Sequence, residues 1–257
     1  MDRETIRTEI ADRIGTITLD RPDRMNALDP SMLDELGAAI ERFGDDPDVR
    51  AITIDGAGRA FCAGADVDRV ILDPDAHAAT AIARRGQATF EAIETCPTPV
   101  IAAIDGVALG GGMELAAAAD LRIATPEARF GQPEITLGIL PCWGGTQRLT
   151  RIVGEGRARE IVLTGEQYSA EEMAEMGFLL DVIADLPAER RRLAEHLAAG
   201  PPLAQAAAKR AIRAGRSDVA AGLEIEAQAF GRLAASADAA RGVEAFLNDD
   251  EPSFTGE

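Results

Sequence analysis

Apolar and polar side chains alternate in two short stretches near the start of the chain, Ile6–Ile10 and Ile14–Asp20. A period of two is typical of half-buried strands, so the pair predicts a hairpin that turns at Asp12 and Arg13. The period then changes to that of a helix, for which Ser31 is a candidate N-cap. The apolar stripe of this helix consists of Met32, Leu33, Leu36, Ala39, Ile40 and Phe43.

Strand and helix patterns continue to alternate through the middle of the chain. The predicted strands are Val49–Asp55, Pro99–Asp105, Leu121–Thr125 and Leu179–Ala184, and the predicted helices are Ala76–Thr95, Ala158–Leu163 and Ala170–Met176. The long helix should turn Ala79, Ile82, Phe90 and Ile93 inward, and Asp73-Pro74 should break any helix before it. This order predicts an α/β fold of repeated ββα units whose strands pair in parallel across the crossovers.

Beyond Leu186 only helical patterns remain. Breaks at Gly200-Pro201-Pro202, Gly215 and Ser236 separate the helices of this part. We therefore divide the chain into an α/β core, residues 1–195, and a C-terminal helical region, residues 196–257.

The stretch from Gly106 to Ala119 contains glycine and apolar residues with a single exception, Glu114. Three consecutive glycines, residues 110–112, stand where the chain passes from the preceding strand into a helix. A ligand oxygen could approach the free N–H groups of that helix start, because no Cβ covers them. Glu114 would lie beside this oxygen site in the first helical turn. The alternative is an acidic residue placed there only because the helix dipole favours it.

A second carboxylate occupies a second predicted helix start. Pro133 suits the first position of a short helix, with Gln132 before it and Gly138 at its end. Glu134 then falls in the first turn, where the helix dipole alone would also favour it. Close by in sequence, Cys142-Trp143 either walls a binding site or belongs to the core.

Composition excludes several classes of function. The net charge of −18 would repel a nucleic-acid backbone. Three scattered cysteines and two histidines supply no disulfide framework and no metal site. There is no signal-type or membrane-spanning apolar run, so we expect a cytoplasmic protein that binds neither membrane nor nucleic acid. Lys209 is the only lysine.

Five motifs together resemble the enoyl-CoA hydratase/isomerase (crotonase) superfamily over nearly the full length, and within it enoyl-CoA hydratase most. They are LDRPDRMNAL (19–28), AFCAGAD (60–66), PVIAAIDGVALGGGMELA (99–116), FGQPEITLGILP (130–141) and GGTQRL (144–149). The resemblance implies a crotonase-like ββα spiral core with a C-terminal helical region. It also implies assembly as a homotrimer or as a dimer of trimers.

The resemblance further implies that the enzyme adds water reversibly across the double bond of a 2-trans-enoyl-CoA, as in fatty acid β-oxidation. The thioester oxygen would lie in an oxyanion hole between the N–H groups of Ala65 and Gly111. Glu114 would take a proton from the attacking water, and Glu134 would protonate Cα. No cofactor or metal is implied, since coenzyme A is part of the substrate. Substrate-binding positions implied by the motifs are Ala63, Gly64, Asp66, Val67, Asp68, Arg24 and Gly110.

The chain departs from the family where relatives carry basic residues. Asp68 replaces a lysine common just after the GAD motif, and the C-terminal segment 248–251 is acidic. Arg24, Arg59 and Arg69 are candidates to meet the phosphates of coenzyme A instead. The acidic composition resembles that of proteins adapted to concentrated salt; a GC-rich coding bias would explain the scarcity of lysine but less readily the excess of acids.

Other reactions and classes stay open at this point. A Δ3,Δ2-enoyl-CoA isomerase, or a dehydratase acting on a branched or aromatic acyl-CoA, would differ only in how the carboxylates move protons. A nucleotide-binding oxidoreductase would use the glycines as a phosphate cradle, but no GxGxxG motif opens a helix here. A non-catalytic or RNA-binding relative is disfavoured by the two glutamates and by the acidic surface.

Overall fold

The computed structural model describes residues 5–70 and 75–257. Its strands are β1 Ile6–Ala11, β2 Ile14–Leu19, β3 Ala51–Gly56, β4 Ala60–Cys62, β5 Val100–Ile104, β6 Val107–Leu109, β7 Leu121–Ala124, β8 Arg129–Gly131, β9 Gln167–Ser169 and β10 Asp181–Val182. Its α-helices are α1 Pro30–Asp45, α2 Val67–Val70, α3 Ala76–Thr95, α4 Gly111–Ala118, α5 Gly145–Thr164, α6 Ala170–Glu175, α7 Leu186–Ala199, α8 Pro202–Ala214, α9 Val219–Leu233 and α10 Ala237–Asn248. Short 3₁₀ helices cover Pro22–Arg24 and Pro133–Leu137.

The strands form two sheets. The larger has the order β1-β2-β3-β5-β7-β10, and the smaller has the order β4-β6-β8-β9. The hairpin β1–β2 and the pair β8–β9 are antiparallel, whereas the other pairs are parallel. Successive strands alternate between the sheets: β3, β5 and β7 enter the larger sheet, and β4, β6 and β8 follow in the smaller one. The predicted ββα spiral is confirmed.

The core lies between the larger sheet and the helices. All six residues of the predicted apolar stripe of α1 are buried, and so are Phe90 and Ile93 of α3. A second, smaller apolar cluster covers the other face of the sheet, where Leu186, Leu193 and Ala194 of α7 pack near Ala51 and Ile101. The sheet is therefore buried on both faces, as parallel strands require.

Several local predictions need correction. The N-cap of α1 is Asp29, whose carboxylate accepts from the Met32 N–H at 2.9 Å, and Ser31 instead lies inside the helix. Ala79 is exposed rather than inward, because the first turns of α3 extend beyond the core. The last strand comprises only residues 181–182, and the predicted helix 158–163 is the second half of α5. The predicted break at 73–74 lies outside the described residues.

The strands of the smaller sheet have only three residues each, which is too short to show an alternating pattern in the sequence, and the sequence predicts none of them. One of them, β6, separates the strand before Asp105 from the three glycines, so the chain does not pass directly from β5 into α4. This extra strand carries the glycines across to the smaller sheet, next to the end of β4.

Helices α8, α9 and α10 follow α7 along the chain. The proposed division after residue 195 falls within α7, which continues to Ala199 and belongs to the core by its packing; the division itself stays a prediction. Lys209 joins the two parts, because its Nζ donates to Asp120 Oδ2 at 2.5 Å and to the Thr98 carbonyl at 3.0 Å. Within the described ranges, no helix combines the length and apolarity that a membrane crossing needs.

Gly86 lies where α3 packs against Trp143, in the loop before α5, and a substitution there measures how close this packing is. Alanine normally stabilises a helix interior by about 1 kcal/mol over glycine, but here a Cβ would overlap the indole ring of Trp143. We expect Gly86→Ala to lower the melting temperature measured by circular dichroism. Gly231, a helical glycine with open space around it, is the matched control, and Gly231→Ala should raise the melting temperature slightly. Equal shifts in the two variants would contradict this packing.

Candidate active site

The glycines at the start of α4 let two segments of backbone meet. Gly110 caps the helix with φ +50, a conformation that favours glycine. Any Cβ on Gly112 would collide with the Cys62 carbonyl at the end of β4. Gly111 is the first residue of α4, so its N–H has no carbonyl one turn earlier in the helix to accept it. A backbone donor therefore lies beside the smaller sheet.

A second donor comes from the loop after β4. Leu28 holds this loop in place, since its N–H donates to the Gly64 carbonyl at 2.8 Å and its carbonyl accepts from the Asp66 N–H at 2.8 Å. A Cβ built on Gly111 would lie 3.5 Å from the Ala65 nitrogen, and one built on Gly64 would lie 3.6 Å from the Gly111 nitrogen. The amides of Ala65 and Gly111 are neighbours, as an oxyanion hole needs.

Glu114 is buried in the first turn of α4, with 2% of its surface exposed. Its Oε1 accepts the N–H of Trp143 at 2.8 Å and the N–H of Gly145 at 2.7 Å. The side chain is therefore not the solvated acid that the helix dipole alone would explain. A Cβ on Gly145 would lie 2.9 Å from Oε1, so the glycine permits the close approach.

Glu134 lies in the 3₁₀ helix Pro133–Leu137, which begins after Gln132 and ends at Gly138 as predicted. A Cβ on Gly110 would lie 2.7 Å from its Oε1, so Glu134 stands directly over the N-cap of α4. The side-chain amide of the buried Gln132 faces this carboxylate, so its nitrogen is assigned to that side, because an oxygen there would meet only acceptors. In this orientation the Gln132 nitrogen donates to Oε2 at 3.1 Å and to Oε1 at 3.2 Å. The two glutamates thus approach the same helix start from two elements.

Both carboxylates titrate far above their ordinary range. Burial raises the pKa of Glu114 from 4.5 to about 7, repulsion from Glu134 adds to this, and the N–H donors of Gly145 and Trp143 and the charge of Arg148 oppose it. Burial also raises the pKa of Glu134 to about 7. With both pKa values close to 7, a state in which one carboxyl is ionised and the other protonated is accessible near neutral pH. One member can then accept a proton while the other donates one.

Cys142 stands near both acids but is not a nucleophile. Burial, together with the negative charges of Glu114 and Glu134, raises the pKa of its thiol to about 12. It therefore stays protonated at neutral pH. Trp143 is 1% exposed and packs edge-on against Phe90, so it belongs to the core behind the Gly111 amide.

Five of the predicted substrate-binding residues lie between positions 63 and 68, after β4 and at the start of α2, whereas Arg24 ends the 3₁₀ helix Pro22–Arg24 and Gly110 caps α4. Several of their side chains are already paired. The buried Asp66 carboxylate accepts from Arg21 at 2.8 Å, which makes it part of the loop's support. Asp68 and Arg24 face each other at 3.3 Å, with both side chains exposed. Ala63, Gly64 and Gly110 can contribute only backbone N–H and C=O groups to a binding site, because they have no polar side chains. The Val67 side chain is exposed at the start of α2.

The candidates for coenzyme A phosphates differ in their surroundings. Arg69 lies 3.5 Å from Asp29, and Arg24 is paired with Asp68. Arg59 is exposed. Two of the three cations are therefore partly neutralised by neighbouring acids.

Sequence reasoning missed the groups that hold the two glutamates. Gln132 was noted only as the residue before a helix, and the N–H donors of Trp143 and Gly145 carry no side-chain signal. Arg148 is buried within the GGTQRL motif, where it donates to the Trp143 carbonyl at 2.9 Å.

Comparisons with known proteins identify the family of the chain. The model of the enoyl-CoA hydratase/isomerase family matches residues 9–257. A crotonyl-CoA hydratase of Syntrophomonas wolfei is 38% identical over 258 residues, which cover 99% of each chain. The crystal structure of an enoyl-CoA hydratase from Bacillus anthracis superposes with a TM-score of 0.93 at 36% identity, covering 98% of this chain and 100% of that one. An enoyl-CoA hydratase structure from Mycobacterium smegmatis gives a TM-score of 0.93 at 31% identity, with 98% and 99% coverage. The chain therefore belongs to the enoyl-CoA hydratase/isomerase family.

Proposed function

We propose that the protein is a hydro-lyase that adds water across the double bond of a 2-trans-enoyl-CoA to give a 3-hydroxyacyl-CoA. One observation carries the proposal: the buried Glu114 and the neighbouring Glu134 approach the start of α4 beside the backbone amides of Ala65 and Gly111. Burial raises the pKa of both carboxyl groups to about 7, which suits proton transfer near neutral pH. The relative from Syntrophomonas wolfei, named a crotonyl-CoA hydratase, supports the same reaction.

In this proposal the thioester oxygen accepts hydrogen bonds from the amides of Ala65 and Gly111. When water attacks Cβ, the electrons of the C=C bond move toward the thioester and leave negative charge on its oxygen. Donors that are already in place stabilise this enolate without reorganisation, and each is worth roughly 3 to 4 kcal/mol in the transition state. The positive end of α4 acts in the same direction.

The two glutamates complete the addition. Ionised Glu114, fixed through Oε1 by two N–H groups, can accept the proton of the attacking water at its other oxygen as the O–Cβ bond forms. Protonated Glu134 then gives its proton to Cα, which returns the enolate to a thioester. Dehydration runs the same steps backwards, and acids with similar pKa values suit both directions.

Isomerisation is the second candidate reaction. It needs one carboxylate to move a proton between two carbons, and it gives no reason for a second acid with a raised pKa. Retention of both acids, with one fixed by backbone donors, favours hydration over a Δ3,Δ2-isomerase.

We further propose that the protein forms a homotrimer or a dimer of trimers in the cytoplasm and acts in fatty acid β-oxidation. Large apolar side chains on the C-terminal helical region support association, because a single chain leaves them exposed. They include Ile212, Val219, Phe230, Val243, Phe246 and Leu247.

Removing either acid should abolish most of the turnover. We expect Glu114→Gln and Glu134→Gln each to lower the kcat for crotonyl-CoA hydration by about a hundredfold or more, since proton transfer contributes roughly 10² to 10⁴-fold. Binding of a 3-hydroxybutyryl-CoA product should change little, because the amide is nearly isosteric. The assay follows the loss of conjugated enoyl absorbance. A variant that keeps more than about a tenth of wild-type turnover would show that its residue has another role.

The pH dependence of kcat/KM should be bell-shaped with an optimum near 7. Below the optimum Glu114 gains a proton and can no longer accept one, and above it Glu134 loses the proton it must donate. The two apparent values belong to the coupled pair. An activity that stays flat between pH 5 and 9, after correction for unfolding, would contradict these roles.

The net charge of −18 motivates a proposal of salt adaptation. Dispersed acids repel one another and the polyanionic substrate, and salt screens both, with a Debye length of about 3 Å at 1 M. We expect the melting temperature and the crotonyl-CoA turnover to rise between about 0.1 M and 2 M potassium chloride. Size-exclusion chromatography with light scattering should show a trimer or hexamer at the higher concentration and dissociation at the lower. An unchanged melting temperature and mass would reject salt adaptation.

A further inference from the structure

Arg148 is a buried side chain that the proposed proton transfers do not use. It is 8% exposed, and its guanidinium donates to the Trp143 carbonyl at 2.9 Å and to Glu94 Oε2 at 3.1 Å. Gly144, with φ +113, leaves room for this approach, because a Cβ there would collide with the guanidinium. The first turn of α5 is therefore built around Arg148.

The backbone that Arg148 holds is the same backbone that holds Glu114. The N–H groups of Trp143 and Gly145 donate to Glu114 Oε1 at 2.8 and 2.7 Å. Trp143 thus donates to the glutamate through its N–H and accepts from the arginine through its carbonyl. A displacement of the arginine would move both donors relative to the carboxylate.

The support extends to α3 and to the C-terminal helical region. Glu94 of α3 accepts from Arg148 with Oε2 and forms an ion pair through Oε1 with Arg216, which follows α8. Arg216 keeps about a third of its side chain exposed, with 34% accessible, whereas Glu94 keeps 14%. The ion pairs thus lead from the partly exposed Arg216 through Glu94 to Arg148, beside the backbone that holds Glu114.

A second contact from α3 holds the same loop. The Gln87 amide donates to the Cys142 carbonyl at 2.8 Å. Phe90 packs edge-on against the Trp143 indole, with ring centroids 5.8 Å apart. These two contacts keep the loop attached to α3 when Glu94 or Arg148 is replaced. We therefore expect such a substitution to shift the loop slightly rather than to release it.

We propose that Arg148 is a positioning residue for Glu114, and that the Arg148–Glu94–Arg216 chain of ion pairs couples the C-terminal helical region to the active site. Arg148 binds the Trp143 peptide group, whose N–H orients Glu114, and places a positive charge beside it. The inference rests on the proposed role of Glu114 as the proton acceptor.

Charges around the site decide where the single proton of the glutamate pair resides. Glu114 faces Glu134 and Arg148, and Arg148 in turn faces Glu94, Glu91 and Arg151. Hydration starts only when Glu114 is ionised and Glu134 is protonated. The positive charge of Arg148 lowers the pKa of Glu114 and so favours this distribution. Glu94 is paired with Arg148, and a negative charge at that place acts in the opposite direction.

Two substitutions should therefore move the pH profile in opposite directions. Arg148→Met removes the positive charge, so the acid limb of kcat for crotonyl-CoA should move to higher pH, and kcat at the optimum should fall about tenfold to a hundredfold with little change in KM. Glu94→Gln removes the negative charge and keeps an oxygen that can accept from Arg148, so the acid limb should move to lower pH. Arg148→Lys should restore the acid limb more than the kcat, because an ammonium keeps the charge but lacks the planar fork.

Arg122→Met is the matched control. Arg122 is also a buried arginine that binds carbonyls, those of Phe178 and Ala119 at 2.6 Å each and that of Ala116 in α4 at 3.5 Å. None of these carbonyls belongs to residues 142–145, which hold the Glu114 carboxylate. Its loss should lower stability and leave the pH profile in place. If Arg148→Met and Glu94→Gln behave like this control, or shift the acid limb in the same direction, the positioning role is rejected.

A measurement without substrate covers the case in which Arg148→Met does not fold. Because burial raises the pKa of Glu114, the folded protein loses stability relative to Glu114→Gln as pH rises from about 4.5 to 7. The same comparison is then made between Glu94→Gln and the double variant Glu94→Gln/Glu114→Gln. The pKa of Glu114 in the folded protein sets the upper end of the pH window, and we expect it to be lower without the charge of Glu94. An unchanged upper end would overturn the coupling. A wild-type protein that does not hydrate crotonyl-CoA would reject the proposed function alone, since the stability measurement does not depend on turnover.

Discussion

A buried carboxylate that must stay able to ionise is the constraint on which the site depends. Water would ionise Glu114 easily, but the interior opposes its charge, and two N–H groups on one oxygen offset only part of that cost. The result is an acid that changes its charge near neutral pH. More apolar surroundings would raise its pKa until it stayed protonated at neutral pH, and more polar surroundings would lower its pKa until it was too weak a base.

The geometry follows from how the chain moves between its two sheets. Strands β3, β5 and β7 of the larger sheet are each followed by a three-residue strand in the smaller sheet, and β4 and β6 pair with each other there. Side chains at this point would separate the backbones, as the collision between a Cβ on Gly112 and the Cys62 carbonyl indicates. Glycine therefore allows two amides to become neighbours, and the helix that follows brings Glu114 to the same place.

Much of this could be predicted from the sequence. The stripe of α1, the bounds of α3 and the turn that carries Glu134 have clear periods and end signals. The smaller sheet could not be predicted, because three residues show no period. Nor could the partners of Glu114, since backbone N–H groups from residues 143 and 145 meet it only through folding. The motifs predicted which residues matter, and the folded chain supplied what holds them.

The central claim is that Glu114 and Glu134 share one proton near neutral pH. Carbon-13 NMR of protein labelled at the glutamate carboxyl groups measures this directly, with Glu114→Gln and Glu134→Gln assigning the two resonances. The account predicts two coupled resonances that titrate near pH 7, and a lower pKa for Glu114 when Glu134 is replaced. Titration of both carboxyl groups near 4.5, as for exposed glutamates, would contradict it.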